Sequence, residues 1–73
     1  MSIKHSNRYK EIGIKISEYR KKKGLNQEEL ANKVGISYSY LTQIEAPNVA
    51  KKMSLEVLYD IADALDIDVK NLL

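Results

Sequence analysis

The stretch QEELANKVGISYSYLTQIE, residues 27–45, restricts the fold of this chain more than any other part of it. Leu30, Ala31 and Val34 precede Gly35, and Ile36, Leu41 and Ile44 follow it, at spacings that place them on the facing sides of two short helices. Gly35 stands where the chain must bend. A turn there needs positive φ, which a Cβ penalises. Ala31 is small where the second helix must cross the first closely. Asn26 with Glu29 three residues later forms a capping-box pattern for one helix, and Ser37 caps the other. Pro47 disfavours helical geometry at Ala46 and closes the second helix there.

The rest of the chain extends this helical pattern. A first helix is expected over about Asn7 to Lys23, capped by Ser6 or Asn7, with Ile12, Ile16 and Tyr19 as its core stripe. Gly24 ends it, and the cations from Arg20 to Lys23 suit a helix C-terminus. Leu25 plugs the gap before the next helix. Ser54 caps a fourth helix whose buried stripe is Leu55, Leu58, Ile61, Ala62 and Leu65. Asp68 caps a last short helix ending in Leu72 and Leu73. The expectation is a compact all-α domain of five helices over residues 7–73, preceded by a mobile arm at residues 1–6.

Size and charge narrow the function. A chain of 73 residues forms one domain. At this size it buries only about 60% of its unfolded surface, which sets its stability on the order of 5 kcal/mol. It has no cysteine, so it has neither a disulfide framework nor a thiolate zinc site, and no cofactor is expected. No apolar run is long enough for a membrane span, and the N-terminus lacks the apolar core of a signal peptide. A cytoplasmic location is expected. The net charge of +2 hides a division: residues 1–52 carry 11 Lys/Arg against 5 Asp/Glu, net +6, whereas residues 53–73 carry Lys70 against five acids, net −4. One face suited to a polyanion fits that division, as do two solvated surfaces of opposite sign. His5 is the only histidine, and no Gly-rich phosphate loop or HExxH is present. Enzymatic activity is not expected.

Two helices around a glycine, with a small residue at their crossing, match the helix-turn-helix. From about Ile12 to Leu73 the order of residues resembles helix-turn-helix transcriptional regulators of the phage repressor and Cro type, the XRE-like family with the lambda-repressor-like fold. The resemblance implies a sequence-specific double-stranded DNA-binding protein, a small repressor or autoregulator, whose second helix of the pair lies in the major groove. It places Tyr38, Ser39, Thr42 and Gln43 against base edges. Their chemistry is suitable. Gln pairs with adenine N6 and N7, Ser and Thr donate or accept, and the Thr methyl meets a thymine methyl. The set lacks Arg and Lys, the commonest guanine readers, so half-sites containing A/T are expected. An exposed Tyr pair also fits surface packing or an oligomer contact.

The resemblance further implies phosphate contacts from Asn26 and Gln27 at the positive end of their helix, from Tyr40, and from Lys51 and Lys52 in the following loop. Tyr40 also fits packing against the preceding helix. The resemblance implies a partly buried ion pair between Arg20 and Glu45. The loop departs from the family pattern: Ala46-Pro47-Asn48 stands where many relatives have a glycine, and Asn48 is a candidate for the left-handed conformation.

Proteins of this type dimerise, placing two reading helices about one DNA turn, roughly 34 Å, apart. Tyr59, Ile67, Val69, Leu72 and Leu73, with Leu65 beside them, are the expected homodimer surface. No small-molecule effector and no membrane partner are expected. The alternative reading is a protein-interaction module, antitoxin-like, that keeps the fold without specific DNA binding.

Overall fold

The computed structural model describes residues 4–73. Four α-helices are its main elements: α1 (Ser6–Lys22), α2 (Gln27–Val34), α3 (Tyr38–Glu45) and α4 (Leu55–Ala64). No strand occurs among the described residues, and no helix among them is long and apolar enough to cross a membrane. Of the expected N-terminal arm, residues 1–3 lie outside the described residues. Lys4 and His5 form a turn, and α1 begins at Ser6. No side chain caps α1. Ser6 and Asn7, the expected caps, lie inside it, and its first turn closes on the His5 carbonyl through Tyr9 N–H.

The fifth helix is not formed. Val69–Asn71 is a single 3-10 turn, capped by Asp68, whose carboxylate accepts from Lys70 N–H. Only three residues separate Asp68 from Leu72, and Leu72 is fully buried in the core. The three backbone bonds made there, Asn71 to Asp68, Leu72 to Val69 and Leu73 to Lys70, each span three residues.

The other caps follow the sequence pattern. Asn26 Oδ1 accepts from Glu29 N–H at 2.7 Å, while Glu29 Oε1 accepts from Asn26 N–H at 2.8 Å. Ser37 caps α3 through Tyr40 N–H, and Ser54 caps α4 through Val57 N–H. Gly35 has φ +84°, and its N–H and that of Ile36 both donate to the Ala31 carbonyl. This left-handed closure turns α2 into α3. The end of α3 differs: Ala46 is extended, with ψ 120°, ahead of Pro47. Asn48 does not take the left-handed conformation. The one non-glycine residue with positive φ among those described is Asp66, at 57°, where the Ile67 N–H returns to the Ala62 carbonyl at the end of α4.

Ile12, Ile16, Leu30, Ala31, Leu41, Ile44, Met53, Leu58, Ile61, Ala62, Leu65 and Leu72 form the core. Tyr19 and Leu25 pack against it, half-buried. Leu55 departs from the expected stripe of α4. It is the first residue of that helix, 56% exposed, and Met53 fills the core ahead of Leu58 in its place. Helix α3 packs between α1 and α2, and α4 closes the other side of α2.

One contact sets the depth at which α3 sits. Gly13 lies buried in the middle of α1, where glycine costs about 1 kcal/mol of helix stability relative to alanine. A Cβ there would stand 2.0 Å from the backbone oxygen of Ile44. The absence of a side chain at Gly13 lets the C-terminal turn of α3 rest on the backbone of α1.

Candidate nucleic-acid interface

The C-terminal end of α3 is fastened a second time. Arg20, near the end of α1, and Glu45, the last residue of α3, are 8% and 6% exposed. Arg20 Nε donates to Glu45 Oε2 at 2.9 Å and Oε1 at 3.2 Å, and Nη2 donates to Oε1 at 3.0 Å. The remaining terminal nitrogen, Nη1, donates to the Leu25 carbonyl at 2.7 Å. Gln27 Nε2, in the first turn of α2, donates to Glu45 Oε1 at 3.1 Å. The fork geometry of the guanidinium thus joins α1, the loop after it and α3, and Gln27 ties α2 to the same carboxylate. Every buried polar side-chain atom among the described residues has a hydrogen-bond partner. The ion pair implied by the resemblance is present, and Gln27 is its third member.

With its end held, α3 presents the opposite face to solvent. Tyr38 is 54% exposed, Ser39 and Gln43 are exposed, and Thr42 is half-buried. Thr42 Oγ1 donates to the Ser39 carbonyl at 2.8 Å, so its hydroxyl proton is used within the helix. What Thr42 offers outward is its methyl group and the lone pairs of that oxygen. A shallow cleft lined by Asn26, Gln27, Glu28 and Tyr38 brings the N-terminal end of α2 beside the first turn of α3. The Asn26 side chain is engaged in its cap, and the Gln27 amide in the Glu45 contact. Asn26, Gln27 and Glu28 put the cleft at the N-terminal end of α2, the positive end of its dipole. Glu28 is the one carboxylate among the residues that line it.

Tyr40 is half-buried and packs against the core. Lys51 Nζ stands 5.6 Å from the centroid of its ring. Lys51 is half-buried and Lys52 exposed, so the two lysines of the loop have different surroundings. At the end of α1, Lys22 Nζ stands 5.5 Å from the centroid of Tyr19.

The residues expected at a subunit contact separate into two groups. Leu72 and Leu65 are buried, so their side chains fill the core and are not available to a partner. Tyr59 and Leu73 are exposed at 49% and 62%, and Ile67 and Val69 are half-buried. Leu55 and Leu73 border an open, largely apolar groove together with Tyr9, Ile12, Met53 and Leu58, with His5 and Arg8 also lining it.

Residues 16–72 match the sequence profile of the Helix-turn-helix family. The chain belongs to that family. Its relatives are transcriptional regulators, and the family is a DNA-binding one without enzymes. The HTH-type transcriptional regulator SinR of Bacillus subtilis (strain 168) is 42% identical over 62 residues, which span 85% of this chain and 55% of SinR. The chain therefore spans about half the length of that relative. Among solved structures, the restriction-modification controller protein C.AhdI from Aeromonas hydrophila superposes with a TM-score of 0.82 at 33% identity, covering 94% of this chain and all of C.AhdI. The master regulator for biofilm formation SinR, solved in complex with DNA, superposes with a TM-score of 0.77 at 41% identity, covering 84% of this chain and 95% of that one.

Two features of the site were not anticipated from the sequence. Gly13 carries a signal in retrospect, since a glycine between Ile12 and Ile14 inside a helical stripe calls for a packing reason. The Gln27 contact with Glu45 has no sequence signal, because nothing in the order of residues brings those two side chains together.

Proposed function

We propose that this chain is a small transcriptional regulator, a repressor or autoregulator acting in the cytoplasm. Residues 7–73 form one DNA-binding unit that reads double-stranded DNA with α3 in the major groove. The observation that carries this reading is the exposed face of α3. It is uncharged, able to hydrogen-bond and partly aromatic, and it projects from a helix whose far end is fixed by Gly13 and by the Arg20–Glu45 pair. Tyr38, Ser39, Thr42 and Gln43 are the base-reading set. The N-terminal end of α2, with Asn26 and Gln27, and the loop lysines Lys51 and Lys52 meet phosphates. The solved DNA complex of SinR supports this reading, because the relative in it aligns over most of this chain.

Two copies act together on a two-half-site operator, meeting through the exposed apolar end of the molecule. Tyr59, Ile67, Val69 and Leu73 contribute to that contact, and Leu55 at the rim of the groove joins them.

Binding-site selection with the purified chain, followed by gel shifts at two salt concentrations, tests the reading. The expected result is a two-fold pair of A/T-containing half-sites with centres about one turn of DNA, roughly 34 Å, apart. Affinity falls with salt at a log–log slope of about −0.9 per phosphate neutralised. Absence of a complex, or a complex indifferent to salt, refutes it. A G-rich motif contacted by α3 refutes the assignment of the reading residues.

A further inference from the structure

We infer that Tyr40 is a positioning residue, whose ring holds the ammonium of Lys51 at the DNA backbone, and that its hydroxyl is not itself the phosphate contact. The inference rests on the DNA-binding reading above and assigns a mechanism to one part of it.

Tyr40 occupies the boundary of α3. The neighbouring positions Leu41 and Ile44 are buried, Ser39 and Gln43 are exposed, and Tyr40 is half-buried with its ring against the core. Packing therefore fixes the ring and leaves one of its sides to Lys51, at 5.6 Å from the centroid. That distance is within the range at which the negative face of an aromatic ring attracts a cation. The Lys22–Tyr19 pair on α1 follows from helical spacing alone. The Lys51–Tyr40 pair spans 11 residues and ties an irregular loop to the proposed reading helix.

The loop explains why Lys51 and not Lys52 makes this contact. After the turn in which Val49 N–H donates to the Ala46 carbonyl, the chain runs without regular structure to Ser54. Met53 is buried and anchors its far end. Lys51 is half-buried and Met53 buried, whereas Lys52 between them is exposed. No carboxylate pairs with Lys51 among the described residues. The ring orders the ammonium while leaving its charge unneutralised and its N–H donors available. A lysine ordered before DNA arrives loses less side-chain freedom on binding than one on a free loop.

The test uses the operator recovered by selection and four proteins: wild type, Tyr40→Phe, Tyr40→Leu and Lys51→Met, with the Tyr40→Leu/Lys51→Met double variant completing a cycle. Tyr40→Phe keeps the ring and is expected to bind within about twofold of wild type, whereas Tyr40→Leu loses about two- to fivefold. Lys51→Met makes the salt slope shallower by about 0.9. In the Lys51→Met background, Tyr40→Leu has no further effect. Circular dichroism below the melting temperature confirms that each variant is folded, so a loss in binding is read on intact protein. Upfield-shifted Lys51 Hε resonances in the free protein, lost in Tyr40→Leu and kept in Tyr40→Phe, are the expected signature of the ring contact. If Tyr40→Phe binds as poorly as Tyr40→Leu, or if Tyr40→Leu costs the same with and without Lys51, the inference fails while DNA binding stands. If wild type forms no salt-dependent complex, the DNA-binding reading fails and the inference with it.

Discussion

Replacing Gly13 with alanine tests the packing of α3 on α1 more directly than any other single change. By propensity alone the substitution gains about 1 kcal/mol, because alanine is the best helix former and glycine nearly the worst. The structure reverses the sign. The added methyl would stand 2.0 Å from Ile44 O and 3.1 Å from Ile44 C, a clash with backbone and not with a movable side chain. Real Cβ contacts are essentially never shorter than 3.0 Å, so α1 and α3 must separate by about 1 Å at this point. A gap of that size forfeits roughly a quarter to a half of the dispersion energy of the atoms that line it. Ile12, Ile16, Leu41 and Ile44 lie buried around the contact. Overpacking of this kind costs about 1–3 kcal/mol, occasionally more, and a backbone clash belongs at the upper end of that range. A net destabilisation of about 1–2 kcal/mol therefore remains after the propensity gain. For a domain of this size it lowers the melting temperature by roughly 4–8 °C per kcal/mol. Thermal and urea melts of Gly13→Ala against wild type, followed by circular dichroism, measure it. A Gly13→Ala variant as stable as wild type, or more stable, would refute the reasoning, since propensity would then outweigh the contact.

Three further outcomes follow from the same geometry. Arg20→Met leaves Glu45 buried with only the Gln27 amide as partner, and it is expected to cost about 3–5 kcal/mol in urea melts; unchanged stability would show that the pair contributes nothing. Gly35→Ala meets no neighbouring atom but must hold φ +84°, so it loses roughly 1–2 kcal/mol through backbone strain alone, and replacement by Asn, which tolerates that conformation better, loses less. The hydrogen bond and charge of Lys23 hold the Asp66 carboxyl below its ordinary 3.8. A depressed carboxylate contributes its stability above the unfolded value and loses it as pH falls through the folded one, so the window lies below about pH 4. Asp66→Asn keeps a residue that tolerates positive φ. Its deficit relative to wild type is expected to be small and salt-sensitive at neutral pH and to vanish in acid; an equal deficit at about pH 2 and pH 6 would show that the ion pair is not its cause.

What the sequence made legible was punctuation and periodicity. Asn26, Ser37, Ser54 and Asp68 each accept the backbone hydrogen bond that their type and place suggest, and Gly35 adopts the left-handed turn. These are local effects, decided within four residues, and they read well in one dimension. The misreadings arose where tertiary contacts decide. Leu55 falls in step with Leu58 and Ile61, but it stands at the open end of α4, where no element covers it. Leu72 looks like a terminal apolar residue free for a partner, yet the fold draws it fully inside. The last segment carries a cap and an apolar pair, but it closes as a 3-10 turn that carries Leu72 into the core. Asn48 was a reasonable candidate for positive φ, and Asp66 takes that role at a different helix end. At the site, residue types pointed to Arg20 and Glu45 only through family resemblance, and the placement of Gln27 on the same carboxylate needed the fold.

The arrangement also separates two properties that a DNA-binding protein must supply. The base-facing residues proposed on α3 carry no charge, and the cations lie elsewhere, in the loop at Lys51 and Lys52 and at the end of α1. Charges that meet phosphates supply affinity and its salt dependence but carry no sequence information, whereas uncharged donors and acceptors at base edges supply discrimination. With the two on different elements as proposed, a change at Gln43 is expected to alter which half-site is preferred without altering the salt slope. A change at Lys51 is expected to alter the slope without altering the preference. That independence requires the two elements to keep a fixed relation. The structure provides it through the buried end of α3, where Gly13 sets the depth of the helix and Arg20, Gln27 and Glu45 set its direction. A buried ion pair is a poor source of net stability. Its value in this position is geometric: a bidentate guanidinium permits only one orientation of the carboxylate that closes α3, and the opposite face of that helix is the one proposed to meet the bases.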